Sequence, residues 1–340
     1  LETDVALETD VAAEEMGRPA KDVEPPATFA EGIPCRYSRP GRALGAWAAW
    51  VRGGCPQHAL VKMLREGLLE LPGGVDEEPG SSRLAAALRA VGLIAEREQY
   101  LARIDRHVAA LERQAGDSDR DLEVDPAPGE AREKRLRAAR VLRSVVSALL
   151  ETVPPPSAEP EAVLASAARF LENMARSPSK LDTFARNRLL ETIRERERWT
   201  RIARAAGGAA DGAARASAGA DTWEWLAALP SETSVLGSGP RPGCLHVARA
   251  ITGGHSGRPH TFVVGLDDGR FPGSGSQDPL LLDAERRRIS PELPTAASRV
   301  EREVLELAQL LSRLRGTVTF SFSSRDIVED RDMFPSSSLL

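Results

Sequence analysis

The stretch Thr261-Phe262-Val263-Val264-Gly265-Leu266, closed by Asp267-Asp268-Gly269, decides the fold. A compact apolar run stopped by a turn sequence suits a strand buried in a parallel sheet, where helices cover both faces. Upstream, Leu245-His246-Val247-Ala248 reads as a second strand. Downstream, Val300, Val304, Leu307, Leu311 and Leu314 recur at helical spacing, which predicts an amphipathic helix over 295–314, ended by Gly316. Thr317-Val318-Thr319-Phe320-Ser321-Phe322-Ser323 then alternates and is β-branched, the pattern of a strand. Strand, loop, strand, helix, strand, with crossovers long enough for parallel pairing, predicts an open α/β sheet.

Further upstream the period changes. From about 42 to 228 the apolar residues follow helical spacing. Leu44, Trp47 and Val51 line one helix, stopped at Gly53-Gly54. Leu60, Val61, Leu64 and Leu68 line a second, from His58 to Leu71, stopped at Pro72-Gly73-Gly74. Ser81 is the expected cap of a third, which carries Leu84, Leu88 and Val91. Long helices are expected at 95–115, 130–153, 158–176 and 180–206, with a short one from Thr222 to Leu229. Linkers are expected at Gly116–Gly129 and Pro154–Pro156, and the Ala/Gly tract 205–220 reads as a mobile low-complexity linker. Before these helices, Val5–Thr9 and Ile33–Tyr37 are short strand candidates. The layout is therefore 1–41, the first strands of an α/β domain; 42–228, a helical insertion; and 229–340, the rest of the α/β domain.

Composition bounds what the chain does. With 340 residues and 41% hydrophobic content it can bury two domains' worth of core. No stretch approaches the roughly 20 apolar residues of a membrane span. Cys35, Cys55 and Cys244 are odd in number and far apart, which gives no zinc spacing and no disulfide framework; a reducing, cytoplasmic setting is expected. The net charge of −5 is unlike that of a free-standing DNA-binding domain. The distribution matters more: residues 1–31 hold nine acids against Arg18 and Lys21, whereas two later helices are basic. The chain begins with Leu1 and repeats Leu-Glu-Thr-Asp-Val-Ala at 1–6 and 7–12, which reads as an excerpt of a longer protein with a short duplication.

Chemistry-bearing motifs are sparse. No G-x-x-x-x-G-K-[ST] phosphate loop is present, nor H-E-x-x-H, an EF-hand loop or G-x-S-x-G. Residues 249–260 form a Gly-rich loop after a strand, the place where open α/β sheets bind ligands, and carry His255 and Arg258 as phosphate-contact candidates. The competing reading is a solvated turn whose glycines serve the backbone alone. His255, His260, Asp267 and Asp268 make a weaker set for a metal-dependent hydrolase. Zinc usually needs three or four protein ligands, so no metal is expected, and the two aspartates fit turn chemistry.

The segment Phe262-Val263-Val264-Gly265-Leu266-Asp267-Asp268-Gly269-Arg270-Phe271-Pro272, then Asp278-Pro279-Leu280-Leu281-Leu282-Asp283-Ala284-Glu285-Arg286, resembles the motor region of UvrD-type helicases. Within those it is most similar to the AddB-type subunit of bacterial ATP-dependent helicase–nucleases. The segment from Arg299 to Ser323 resembles the last helicase motif, in which a helix carries an arginine finger and a strand follows. Arg313 takes the finger's place, after Ser312 where Thr is usual and before Leu314 where Ala is usual. Gly32-Ile33-Pro34 resembles the strand leading into the helical 2B insertion, and Pro335-Ser336-Ser337 the lead-in to the C-terminal nuclease domain. Over 75–220 only helicity matches.

The resemblance implies a RecA-like second motor domain (2A) interrupted by a helical 2B-like subdomain, ahead of a nuclease domain whose signature lies beyond Leu340. Residues 254–260 replace the H-x-x-K-G-L-E sequence of active motors, which implies a degenerate motor. ATP and Mg2+ would belong to the parent protein, with no cofactor in this chain. The partners implied are DNA, as single strands or duplex ends, and a second helicase–nuclease subunit. The role implied is double-strand-break processing in recombination and repair. Arg313 has a competing reading, as a cation complementing a helix C-terminus.

Two basic helices add candidates of their own. Residues 132–143 hold six basic residues against one acid, and 186–204 hold seven Arg against three Glu, with Trp199 among them. Arg132, Lys134, Arg135, Arg194, Arg198 and Arg201 are the DNA-phosphate candidates, because a guanidinium fork matches phosphate. The rival is a solvated face of Glu–Arg pairs worth about 0.3–0.5 kcal/mol each. The corresponding rival function is a non-enzymatic helical scaffold with a vestigial motor domain. Trp47, Trp50, Trp223 and Trp225 are expected in helix packing.

Overall fold

The computed structural model of the chain describes residues 27–71, 79–92, 97–118, 127–205, 212–273, 275–327 and 329–339. The strand candidate at Val5–Thr9 lies outside them. The protein is a helix-rich α/β chain with small parallel sheets. Contacts divide it into two units, Gly32–Gly237 and Leu1–Glu31 with Ser238–Leu340. The divide falls at 31/32 and 237/238, where the sequence reading put 41/42 and 228/229. No helix among the described residues is long and apolar enough to cross a membrane.

The first unit is helical. Its helices are α1 (Arg39–Arg52), α2 (Gln57–Arg65), α3 (Ser81–Ala90), α4 (Gln99–Ser118), α5 (Ala127–Glu151), α6 (Pro160–Asn173), α7 (Lys180–Ala205) and α8 (Gly212–Glu232). Two short strands, β2 (Ile33–Pro34) and β3 (Ser234–Val235), pair antiparallel at its chain ends, with Ile33 opposite Val235. Helix α1 starts where Ser38 accepts the N–H of Gly41 at 3.1 Å, ahead of a proline in the first turn. Its buried face carries Leu44, Trp47 and Trp50. Trp47 stacks on Phe170 with ring centroids 5.2 Å apart and donates its indole N–H to Thr152 at 3.1 Å. Trp50 meets Tyr100 edge-on, and the Tyr100 hydroxyl donates to the Cys55 carbonyl at 2.8 Å. Half-buried Trp223 lies 5.8 Å from Trp47, and half-buried Trp225 sits under the Arg196 guanidinium at 4.5 Å. These packed rings fix how α1, α4, α6 and α8 meet; the Trp47 indole and Tyr100 hydroxyl are hydrogen-bonded, whereas the buried Trp50 indole nitrogen has no partner among the described residues.

Several boundaries differ from the sequence reading. The expected strand Ile33–Tyr37 stops after Pro34 and becomes a 3-10 turn over Cys35–Tyr37. Helix α2 ends at Arg65 rather than Leu71. Leu68 and Leu69 leave it buried, and Leu69 bridges Ala175. Ser81 opens α3 but does not cap it; the cap position is Gly80, with no side-chain bond. The expected linker 116–129 is helical as far as Ser118 and again from Ala127. Of the Ala/Gly tract, 206–211 lie outside the described residues, and from Gly212 the chain is helical through Glu232. Alanine is the best helix former, and an alanine-rich stretch joined to a packed helix extends it.

The second unit is the α/β part. It holds β1 (Ala27–Phe29), β4 (Leu245–Val247), β5 (His260–Val263), α9 (Asp283–Ile289), α10 (Ala296–Arg313) and β6 (Thr317–Phe320), then the small hairpin β7 (Arg325–Asp326) and β8 (Arg331–Asp332). β1 pairs in parallel with β4, Thr28 opposite His246. β5 pairs in parallel with β6, Val263 opposite Phe320. Each pair is its own two-stranded sheet. The core joins Val263 and Leu266 to Leu307 and Leu310 of α10, with Phe271 and Val318 against them. The expectation that 261–266 is buried on both faces is corrected. Phe262 is 67% exposed and Val264 72% exposed, because α10 packs on one face of the β5–β6 pair and no core cluster of the described residues includes them.

Candidate functional site

The candidate residues fall in both units. In the α/β unit the loop after β4 is held from two sides. Glu31, just past β1, accepts the Arg249 N–H at 3.3 Å and the Thr252 hydroxyl. The Thr252 bond, aided by Arg249, holds the Glu31 carboxyl below the usual carboxylate range. On the other side, Arg313 at the end of α10 donates Nη1 to the carbonyls of Ile251 at 3.4 Å and Gly253 at 3.5 Å, and Nη2 to Gln309 at 3.5 Å. Gly254 is required here. It sits at φ +85°, and a Cβ on it would lie 2.9 Å from the Arg313 Cβ. Arg313 thus serves as a loop clamp in this arrangement, and a phosphate reaching it would compete with two carbonyl oxygens.

His255 is exposed in the same loop, and half-buried Arg258 donates to the Arg241 carbonyl. Asp267 and Asp268 lie at the carboxyl end of β5. Asp267 is fully buried. Its Oδ1 accepts the Ser323 N–H, and its Oδ2, with no hydrogen-bond partner, lies 3.5 Å from the Arg270 guanidinium. Its carbonyl accepts the N–H groups of Arg270 and Phe271, as in a turn. The Asp268 N–H donates to the Phe334 carbonyl at 2.8 Å, and the Ser336 N–H to Leu266 at 2.9 Å. Asp267 therefore locks the ends of β5 and β6 to the 333–336 segment. Among the described residues no group of three His, Cys, Asp or Glu gathers that could hold a metal ion.

The charged residues of 278–286 are also engaged internally. Asp278 accepts the Leu280 N–H at 2.9 Å and pairs with Arg286 at 3.0 Å. Glu285 accepts the Leu282 N–H at 2.9 Å, capping α9. Asp283 takes the Ala296 N–H on both oxygens, at 3.1 and 3.0 Å, capping α10 from a distance. The Asp283 cap, thirteen positions away in sequence, is not encoded in the local spacing.

The basic helices belong to the helical unit. On α5, Arg132 and Arg135 are exposed one turn apart, and Lys134 reaches Glu130 at 3.5 Å. Further along, Arg140 pairs with Glu112 at 2.7 Å and Arg143 with Asp105 at 2.5 Å, tying α5 to α4. On α7, Arg194 pairs with Glu172 of α6, Arg201 with Glu197 at 2.6 Å, and Arg204 with Glu161 at 3.1 Å. Arg198 makes no such pair among the described residues, and its guanidinium lies 5.9 Å from the Trp199 ring. The structure brings Arg194, Arg198 and Arg201 onto one side of α7. Arg132, Lys134 and Arg135 stand on another helix.

An open groove of about 550 Å3 also runs between α7 and β3, lined by Phe184, Asn187, Arg188, Glu191 and Ser234–Leu236. Arg188 and Glu191 pair within it at 2.6 Å. None of the named DNA-phosphate candidates lines it, although Arg188 and Glu191 belong to the basic run 186–204. No protein-family model matches the chain, and no curated protein matches it in sequence.

Proposed function

We propose that the chain is a segment of an AddB-like helicase–nuclease subunit, comprising a RecA-like second motor domain and its helical 2B-like insertion, and that it binds DNA during double-strand-break processing. The observation that carries this reading is the path of the chain. β1 lies beside β4 in parallel, Thr28 against His246, although 218 positions separate them. The helical unit is inserted between these neighbouring strands. An α/β motor domain interrupted after its opening strand is the layout the sequence resemblance implies. The loop clamped by Arg313 after β4 adds support, because it stands beyond a strand's carboxyl end, where open α/β sheets hold ligands.

The chain has no complete catalytic site on this reading. Nucleotide phosphates need a phosphate loop that it lacks, and Arg313 alone is a contributor from across a cleft. ATP, Mg2+ and nuclease chemistry belong to the parent protein and to a partner subunit. The test is fluorescence anisotropy with labelled single-stranded and duplex-end DNA over a salt series. Binding that weakens steeply with salt reports released counterions at phosphate contacts. No binding at low salt, or ATP or DNA hydrolysis by this chain alone, sinks the reading as stated.

A helical scaffold with a vestigial motor domain is the second reading. It is favoured by the pairing of Arg140, Arg143, Arg194, Arg201 and Arg204 with acids of the protein itself. It predicts no DNA affinity at any salt concentration.

A further inference from the structure

We propose that the exposed side of α7 from Arg194 to Ile202 is a platform for single-stranded DNA, with Trp199 as the ring on which a base stacks. This rests on the DNA-binding reading above and narrows it to one strand form and one surface. Four of the five tryptophans are buried or half-buried in helix packing, whereas Trp199 is 56% exposed. An indole left in water costs hydrophobic free energy that the fold recovers elsewhere by packing.

Its neighbours define the ligand. At 3.6 residues per turn, Arg201, Arg194, Arg198, Ile202 and Trp199 succeed one another around about 160° of the helix. Glu195 is the acid within that arc, and Ile202 is also exposed. The acids paired with Arg194 and Arg201 stand outside it. Glu172 is on α6, and Glu197 is on the half-buried side of α7. A guanidinium has five donors, so an ion pair through one edge leaves others for a phosphate, and exposed pairs of this kind exchange at small cost. Arg198, paired with no acid among the described residues, sits beside the ring itself.

Three cations beside one exposed aromatic ring match a strand whose bases are free to lie on the ring while its phosphates meet the arginines. A duplex hides its base faces and offers phosphates alone. The platform is therefore selective for single strands and indifferent to sequence.

The test titrates the full chain with a short oligothymidylate, read by anisotropy and by tryptophan emission, with a matching abasic oligomer and a blunt duplex alongside. Trp199→Ala is expected to weaken oligothymidylate binding about tenfold and to remove most of the emission change, while Trp199→Phe keeps most of the affinity. Arg198→Ala should weaken binding and flatten its salt dependence. Duplex binding should not change with Trp199→Ala. If Trp199→Ala binds oligothymidylate like the parent chain, or the parent binds the abasic oligomer as tightly, the platform is wrong and DNA binding rests on another surface. If the parent binds no DNA at low salt, the platform and the DNA reading fall together.

Discussion

The carboxylate of Asp182 accepts the backbone N–H of Arg39 at 2.7 Å, so one buried side chain serves the first turns of two helices. Its second oxygen takes the Ser179 hydroxyl at 2.7 Å, and the Ser179 hydroxyl oxygen accepts the Asp182 N–H at 3.1 Å, a reciprocal cap at the start of α7. Removing it strands donors at both helix starts. Asp182→Ala is expected to lower stability by about 2–3 kcal/mol. Asp182→Asn, which keeps an acceptor, should lose less. Urea unfolding followed by far-UV circular dichroism reads the difference, and equal midpoints for parent and Asp182→Ala would refute the shared cap.

Trp47 is the junction of the helical unit, touching Phe170, Trp223 and Thr152. Trp47→Ala leaves a large cavity and orphans the Thr152 contact. The expected loss is about 3–5 kcal/mol, seen as a lower melting temperature. A loss below about 1 kcal/mol would show that this aromatic cluster does not organise the unit.

Gly254→Ala forces a Cβ against Arg313 at a positive φ, whereas Gly257, also at positive φ (+63°), has nothing within 4 Å. Gly257→Ala meets backbone strain alone, of about 1 kcal/mol. Gly254→Ala should cost more and should loosen the 249–254 loop, read as faster amide exchange at Thr252 and Gly253. Equal effects of the two substitutions would mean that Arg313 does not clamp the loop.

Burial pushes the thiols of Cys35 and Cys55 each up to about 11, and the Tyr100 hydroxyl to about 12. Unfolded, these groups lose their protons at lower pH, so the native state binds more protons through the alkaline range. The stabilisation is fully present below the unfolded values, near 8.5 for a thiol, and is lost as pH rises towards 11. Stability of the helical unit should therefore fall between about pH 9 and 11. Replacing Cys35 and Cys55 together by Ala should flatten that slope. A slope unchanged by the double replacement would assign it to other groups.

The helices were largely legible, because α1 and α5–α7 put Leu, Val and Ala on one face at a spacing no other structure shares. Their ends were less so. The alanine-rich start of α8 looked like a linker because small residues mark both flexible chains and good helices. The run Thr261–Leu266 announced a parallel strand but not how many strands or layers would join it. A two-stranded sheet covered on one side leaves Phe262 and Val264 in water, which hydrophobicity alone cannot foresee. The charged candidates were the least legible. The sequence marks Arg194 and Arg143 as basic, but their acids, Glu172 and Asp105, lie on other helices. Asp283 likewise caps Ala296, thirteen positions away.

A Cβ on Gly32 would run into the Val235 carbonyl, and the paired strands Ile33–Pro34 and Ser234–Val235 bring the outgoing and returning chain side by side. One step outside, the Ser238 N–H donates to the Phe29 carbonyl at 2.9 Å. This stem bears on the entropy of closing the sheet. Until the helices collapse, pairing β1 with β4 means closing a loop of some two hundred residues, and the entropic cost of closure grows with the logarithm of that length. Once they have collapsed, the two strands are delivered at nearly zero separation. A short tight turn in place of the helices is therefore expected to speed pairing of β1 with β4 in refolding kinetics, because it shortens the loop to be closed.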